Sequence, residues 1–213
     1  MKTVPVLILF LVCATAGAQV LPPSATPKTS AFSGNNGLTF EAKLISSGGS
    51  VKTDRGLASG ATFQKLENTQ THESKSRVEV VVRNLGAAPA QAHFDWFFIA
   101  RDVQSRREYV WDQGQRDVPL NAGAQKKELL ESKPVTETTR QKTEYTQPSG
   151  AGPQQAQQQS SKDQTGARPF GWIVRLVEGE RVLQVQASSN DLESVGRDQA
   201  RLSKLTQAPV GPR

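Results

Sequence analysis

Residues 38–44 read LTFEAKL, and they alternate. Leu38, Phe40, Ala42 and Leu44 fall on one face while Thr39, Glu41 and Lys43 fall on the other, which is the period of a half-buried β-strand. The period returns in RVEVVVRN at 77–84, with Val78, Val80 and Val82 on one side and Glu79, Val81 and Arg83 on the other. β-Branched residues pack well on a pleated surface, so this run is the clearest strand in the chain. After the turn LGAAPA comes QAHFDWFFIAR, which carries Ala92, Phe94, Trp96, Phe98 and Ala100 on one face and His93, Asp95, Phe97 and Ile99 on the other. Both faces are apolar enough for a central strand whose larger rings point between two sheets. REYVWDQ at 107–113 is expected to pair with it through the polar turn at 104–106, a further strand is expected at 62–69, and a weaker one at 124–132. GWIVRLV and RVLQVQAS, at 171–177 and 181–188, form a hairpin joined through Glu178, Gly179 and Glu180.

Between these runs the alternation fails. Residues 46–60 are rich in Gly and Ser and predict a loop. Residues 136–169, TETTRQKTEYTQPSGAGPQQAQQQSSKDQTGARP, contain eight glutamines and a single aromatic, Tyr145; too little apolar area is present to offset ordering entropy, so a long mobile insert is expected. Residues 19–36 predict a flexible linker. Residues 190–213, with scattered Leu192, Val195, Leu202 and Leu205, predict a flexible tail, a frayed helix being the alternative. The fold class that follows is all-β: an antiparallel sandwich of seven or eight strands over 37–189, interrupted by the insert at 136–169.

The motifs RVEVVVRNLG, FDWFFIARD and GWIVRLVEGERVLQV are distributed over 77–188, most of the part expected to be ordered. They resemble an immunoglobulin-like β-sandwich of the kind common in exported bacterial envelope and pilus-associated proteins. That resemblance implies an immunoglobulin-like sandwich whose exposed sheet edges can accept a partner's strand. The cysteine pair of antibody-type domains is absent.

The N-terminus, MKTVPVLILFLVCATAGAQV, changes the picture of where the chain works. One cation at Lys2, an apolar run over 4–12 and the small residues Ala16-Gly17-Ala18 predict a secretory signal peptide over 1–18. The run falls well short of the roughly twenty residues of a membrane-spanning helix, so no integral membrane protein is expected. Val12 stands before Cys13 where lipid attachment would require a small residue. Cleavage after Ala18 removes Met1 and Cys13, which excludes disulfides, cysteine catalysis and zinc-thiolate sites. The formal charge of +6 falls to +5 with the loss of Lys2, and the cations are interleaved with acids, in runs no longer than Arg106-Arg107 or Lys126-Lys127. A mixed surface of that kind argues against a nucleic-acid partner.

Candidate chemistry is sparse. His93 and Asp95 share a strand face and, with His72, could be imagined around a metal, but the chain has only two histidines. No G-x-S-x-G elbow accompanies His93, Glu178 and Glu180 flank a turn, and SSGGS at 46–50 lacks the lysine of a phosphate loop. No catalytic, cofactor-binding or metal-ligating residue is therefore assigned, and no cofactor is expected. Trp96 and Trp172 are expected in the core, and Tyr109 and Trp111 as an exposed ligand or partner contact. The expected function is that of an exported, non-enzymatic protein, periplasmic, on the outer envelope or secreted, which contacts an envelope or pilus protein. The alternative is a secreted carbohydrate-binding module in which aromatic rings stack on sugars.

Overall fold

The longest pairing in the protein joins β1 (Leu38–Ser59) to β2 (Phe63–Asn84), from Leu38 opposite Asn84 to Ser59 opposite Gln64. These belong to a computed structural model that describes residues 37–60, 63–146 and 157–206; the expected signal peptide and linker lie outside the described residues. The chain continues through β3 (Ala90–Asp102), β4 (Glu108–Leu120), β5 (Gln125–Glu131), β6 (Val135–Thr146), β7 (Gln157–Glu178) and β8 (Arg181–Ala187), then α1 (Asn190–Arg197) and α2 (Gln199–Thr206). Every strand pairing is antiparallel, and the fold is all-β.

Two long strands change partners midway. Residues 77–83 of β2 pair with β5, whereas 63–74 pair with β6. The exchange falls at Ser76, whose N–H donates to Ser132 Oγ and whose carbonyl accepts from the Ser132 N–H, both at 2.9 Å. Pro134, which cannot donate to a ladder, lies between β5 and β6. β7 pairs with β6 over 157–166 and with β3 and β8 beyond that. The result is one eight-stranded sheet in the order β1-β2-β6-β7-β3-β4, with β5 on β2 and β8 on β7; the distal parts of β1, β2, β6 and β7 form a four-stranded arm, and the remaining strand portions form the body.

The core of the body draws on strands from both ends of this sheet. Leu38 and Phe40 of β1, Val78, Val80 and Val82 of β2 and Leu130 of β5 pack with Ala92, Phe94 and Phe98 of β3, Val118 and Leu120 of β4, and Trp172, Val174 and Leu176 of β7. Burying a side chain of this size stabilises by roughly 1.5–3 kcal/mol. Ala92, Phe94 and Phe98 thus face inward as expected, Trp96 is only partly buried against them, and Ala100, beyond a register shift, is buried in a separate cluster with Val135 and Ala167. Its ring lies over Gly114, its cross-strand partner, where a Cβ would come within 2.3 Å of the indole.

Three expectations need correction. The supposed Gly/Ser loop at 46–60 is the arm portion of β1. Most of the supposed mobile insert, 136–146 and 157–169, is strand, and 147–156 lies outside the described residues. Apolar area was the wrong criterion there: the segment is rich in Thr, which favours strands, and its backbone is paired, residues 137–146 between β2 and β7 and residues 157–166 with β6. Cross-strand ion pairs add to this, Arg140 to Glu67 at 2.9 Å and Lys65 to Glu144 at 3.1 Å. The supposed tail at 190–213 forms two helices over 190–206. Ser189 caps α1 by accepting from the Leu192 N–H, and Asp198 accepts from the N–H groups of Ala200 and Arg201 at the start of α2. Leu192 and Leu202 are buried in a second cluster with Phe97, Ile99, Ile173 and Val185.

Candidate interaction surfaces

His93 and Asp95 occupy the face of β3 that the two helices partly cover, so they are not simple surface residues. Arg175, directly opposite Asp95 on β7, donates from Nη2 to Asp95 Oδ2 at 2.7 Å and from Nη1 to Gln199 Oε1 of α2 at 2.7 Å. Its guanidinium also lies over the Phe97 ring at 5.1 Å. His93 Nδ1 is hydrogen-bonded to Asp117 Oδ1 across the β3–β4 pair, and His93 Nε2 lies 3.5 Å from Asp95 Oδ1. His72 is elsewhere, on the arm, opposite Val51 and Glu137. Among the described residues no three His, Cys, Asp or Glu side chains converge as a metal site. Glu178 and Glu180 flank the β7–β8 turn at Gly179, which has φ +59°. Ser46 to Ser50 lie in the β1 ladder.

Tyr109 and Trp111 come together. Their rings meet edge to face, with centroids 6.2 Å apart. A register shift puts Phe98 opposite Asp112 and Ile99 opposite Val110, so Trp111 is the bulged residue of β4 with no β3 partner, and it is 37% exposed. Bulges commonly re-aim a side chain in this way. Tyr109 packs half-buried against Ala100, Val135 and Ala167; burial raises its phenol pKa above the ordinary value, and Asp102 adds to the shift. Beside Trp111 is a shallow hollow of about 210 Å³ lined by Val110, Asp112, Gln113 and Lys133. The Asp112 carboxylate is already held there by the Lys133 N–H at 2.9 Å and by Lys133 Nζ at 3.1 Å.

The arm presents a surface that inspection of the sequence missed. Strand alternation and the register put Lys65, Glu67, Arg140, Lys142 and Glu144 on one face, where they form cross-strand ion pairs. The other face carries Val51 and Leu57 of β1, Leu66 of β2 and Tyr145 of β6. On β2 this face has the parity of Val78, Val80 and Val82. It therefore continues the core-facing side of the sheet beyond the body, where it is uncovered among the described residues. Leu57 and Leu66 are direct cross-strand partners and are 73% and 42% exposed. The signal was weak because Gly48, Gly49 and Gly56 interrupt the alternation and the cross-strand register is not written in either strand alone.

The β1 edge is treated differently along its length. In the body, Gln184 and Gln186 of β8 cap it: the Phe40 N–H donates to Gln184 Oε1 at 3.4 Å, the Ala42 N–H donates to Gln186 Oε1 at 2.6 Å, and both glutamine amides donate back to the Phe40 carbonyl. In the arm, residues 46–59 pair, among the described residues, only with β2.

Among the described residues no helix is long and apolar enough to cross a membrane. No family model matches the chain, and no curated protein matches it. Among solved structures, the chain is similar to the X-ray structure of Northeast Structural Genomics Consortium target SoR45, with 12% identity, coverage of 70% of this chain and 94% of that one, and a TM-score of 0.21; so weak a superposition carries no argument.

Proposed function

We propose that the protein is an exported, non-enzymatic, immunoglobulin-like sandwich that contacts another protein at the cell envelope, a pilus or surface component being the most specific version. The immunoglobulin-like reading is supported by strand order: β1-β2-β5 against β4-β3-β7-β8 corresponds to A-B-E against C′-C-F-G, with β6 and the arm as additions. A non-enzymatic role is supported by the engagement of the main titratable candidates in structural contacts, Asp95 with Arg175 and His93 with Asp117. The observation that carries the contact role is the uncovered arm face where Leu57 pairs with Leu66 and Tyr145 lies diagonally beside them, because exposed apolar side chains clustered on one sheet face mark interaction surfaces.

The test compares parent with Leu57→Ser/Leu66→Ser as bait against envelope extract. A partner retained by the parent and lost by the double variant is expected; an unchanged set of retained proteins would overturn the assignment to this face. The second reading, a carbohydrate-binding module, is favoured by the exposed Trp111 beside Tyr109 and the adjoining polar hollow. Glycan retention on an array, lost in Trp111→Ala with the fold intact, would replace the protein-contact reading.

A further inference from the structure

The half of β1 that, among the described residues, pairs on one side only has an internal symmetry in its charges and its hydrogen-bonding parity. We propose that two copies of this chain pair edge to edge through β1, antiparallel and centred on Thr53, so that Lys52 of each copy lies opposite Asp54 of the other and the two arms form one continuous sheet.

The parity follows from the contacts of the β1 edge. Phe40 and Ala42 direct their N–H groups away from β2, toward Gln184 and Gln186, so their partners Val82 and Val80 are the non-hydrogen-bonded positions of the β1–β2 pair. On β2 the even positions therefore turn their backbone groups toward the opposite neighbour, as the bonds of Ser76 and Asn84 to Ser132 and Ala124 also show. A bulge at Ile45 shifts β1 by one residue, after which the partners of even β2 positions are odd: Val51 opposite His72, Thr53 opposite Gln70, Arg55 opposite Asn68, Leu57 opposite Leu66. These odd residues of β1 point their N–H and C=O outward.

A two-fold axis through Thr53, perpendicular to the sheet, then matches donors with acceptors. Thr53 meets its copy, and Val51 meets Arg55, as hydrogen-bonded pairs. Lys52 and Asp54 meet at non-hydrogen-bonded sites, where opposed side chains approach most closely. Within one chain Lys52 Nζ and Asp54 Oδ2 are 3.6 Å apart and both side chains are largely exposed, so each charge is available to the second copy. The same axis keeps Val51 and Leu57 of both copies on one face. An isologous contact of this kind also covers the β1 edge of the arm, leaving residues 157–166 of β7 as its other edge.

The proposal is independent of the envelope reading, which concerns the arm's face rather than its edge. Sedimentation of the full chain over a range of concentrations should show a monomer–dimer equilibrium. Lys52→Asp and Asp54→Lys each put like charges opposite one another at two sites and should raise the dimer dissociation constant about tenfold. The swap Lys52→Asp/Asp54→Lys should restore it. Circular dichroism of each variant checks the fold, which these exposed positions leave intact. As a trap for weak association, Thr53→Cys in a Cys13→Ser background should give a disulfide-linked dimer on mild oxidation. A monomer at every concentration with no trapped dimer, a dimer indifferent to the charge reversals, or growth to open-ended oligomers overturns the proposal.

Discussion

Arg175 and Asp95 face each other across the β3–β7 pair, joined at 2.7 Å, with side chains only 7% and 19% exposed. Asp95 is therefore structural: it balances a guanidinium that α2 helps to bury. Asp95→Ala should cost about 3–5 kcal/mol in urea unfolding, because removing one partner strands the other charge. Replacing both, as Asp95→Leu/Arg175→Met, should cost much less. Equal losses in the single and double variants would show that packing, and not the ion pair, sets the stability here.

The terminal helices should be needed for stability. Gly196 lets α1 approach the sheet; a Cβ there would sit 2.7 Å from Ile173 Cγ2 and from Val185 Cγ1. Gly196→Val should overpack this contact and destabilise by about 1–3 kcal/mol, and Leu202→Ala should cost about 2–5 kcal/mol. Truncation after Ser189 should expose Phe97 and Ile173, read as increased binding of an apolar dye. A truncated chain with parental stability would mean that the helices are accessory.

The tryptophans should separate by environment. Trp172 is buried in the main core, Trp96 is half-covered by Gly114 and Arg116, and Trp111 is exposed. Trp172→Ala should cost about 3–5 kcal/mol, Trp96→Ala less, and Trp111→Ala least. Single-tryptophan variants should be quenched by iodide in the reverse order. Strong quenching at Trp172 would contradict the packing of β7.

Acid should weaken the arm's attachment at Glu137. Arg168 donates to this carboxylate from Nε at 2.6 Å and from Nη2 as well, which holds the Glu137 pKa below the ordinary range. A carboxylate with a depressed folded pKa contributes stability that is fully present above its unfolded value of about 4.3 and is lost as pH falls through the folded value. The stability difference between parent and Glu137→Gln should therefore be largest at neutral pH and shrink below about pH 4. Tyr109 has the opposite sign of shift. Its raised pKa contributes stability that is complete below about pH 10 and lost as pH rises through the folded value. A pH-independent difference for Glu137→Gln would remove the pair from the account.

Capping of the β1 edge should be visible in hydrogen exchange. Gln186→Leu leaves the Ala42 N–H without its side-chain acceptor and should cost about 1 kcal/mol, with faster exchange of that amide. Unchanged protection of Ala42 would show that backbone pairing alone shields this edge.

Alternation alone determined the all-β class, the strand over 77–84, the inward face of Ala92, Phe94 and Phe98, and the hairpin around Gly179. These are local statements, since side-chain period and turn chemistry act within a few residues. Tertiary structure decided the rest. Residues 136–146 become a strand because β2 supplies a partner for their backbone and charges for their side chains, and the first part of β7 becomes one because β6 then offers its other side; neither partner is visible in a polar segment taken alone. Leu192 and Leu202 order the terminal residues only because Ile173 and Val185 offer an apolar floor. Asp95 becomes a buried partner, and Leu57 an exposed neighbour of Leu66, through pairings with distant strands. Register and layer packing join residues far apart in sequence, and no window along the chain contains both sides of those contacts.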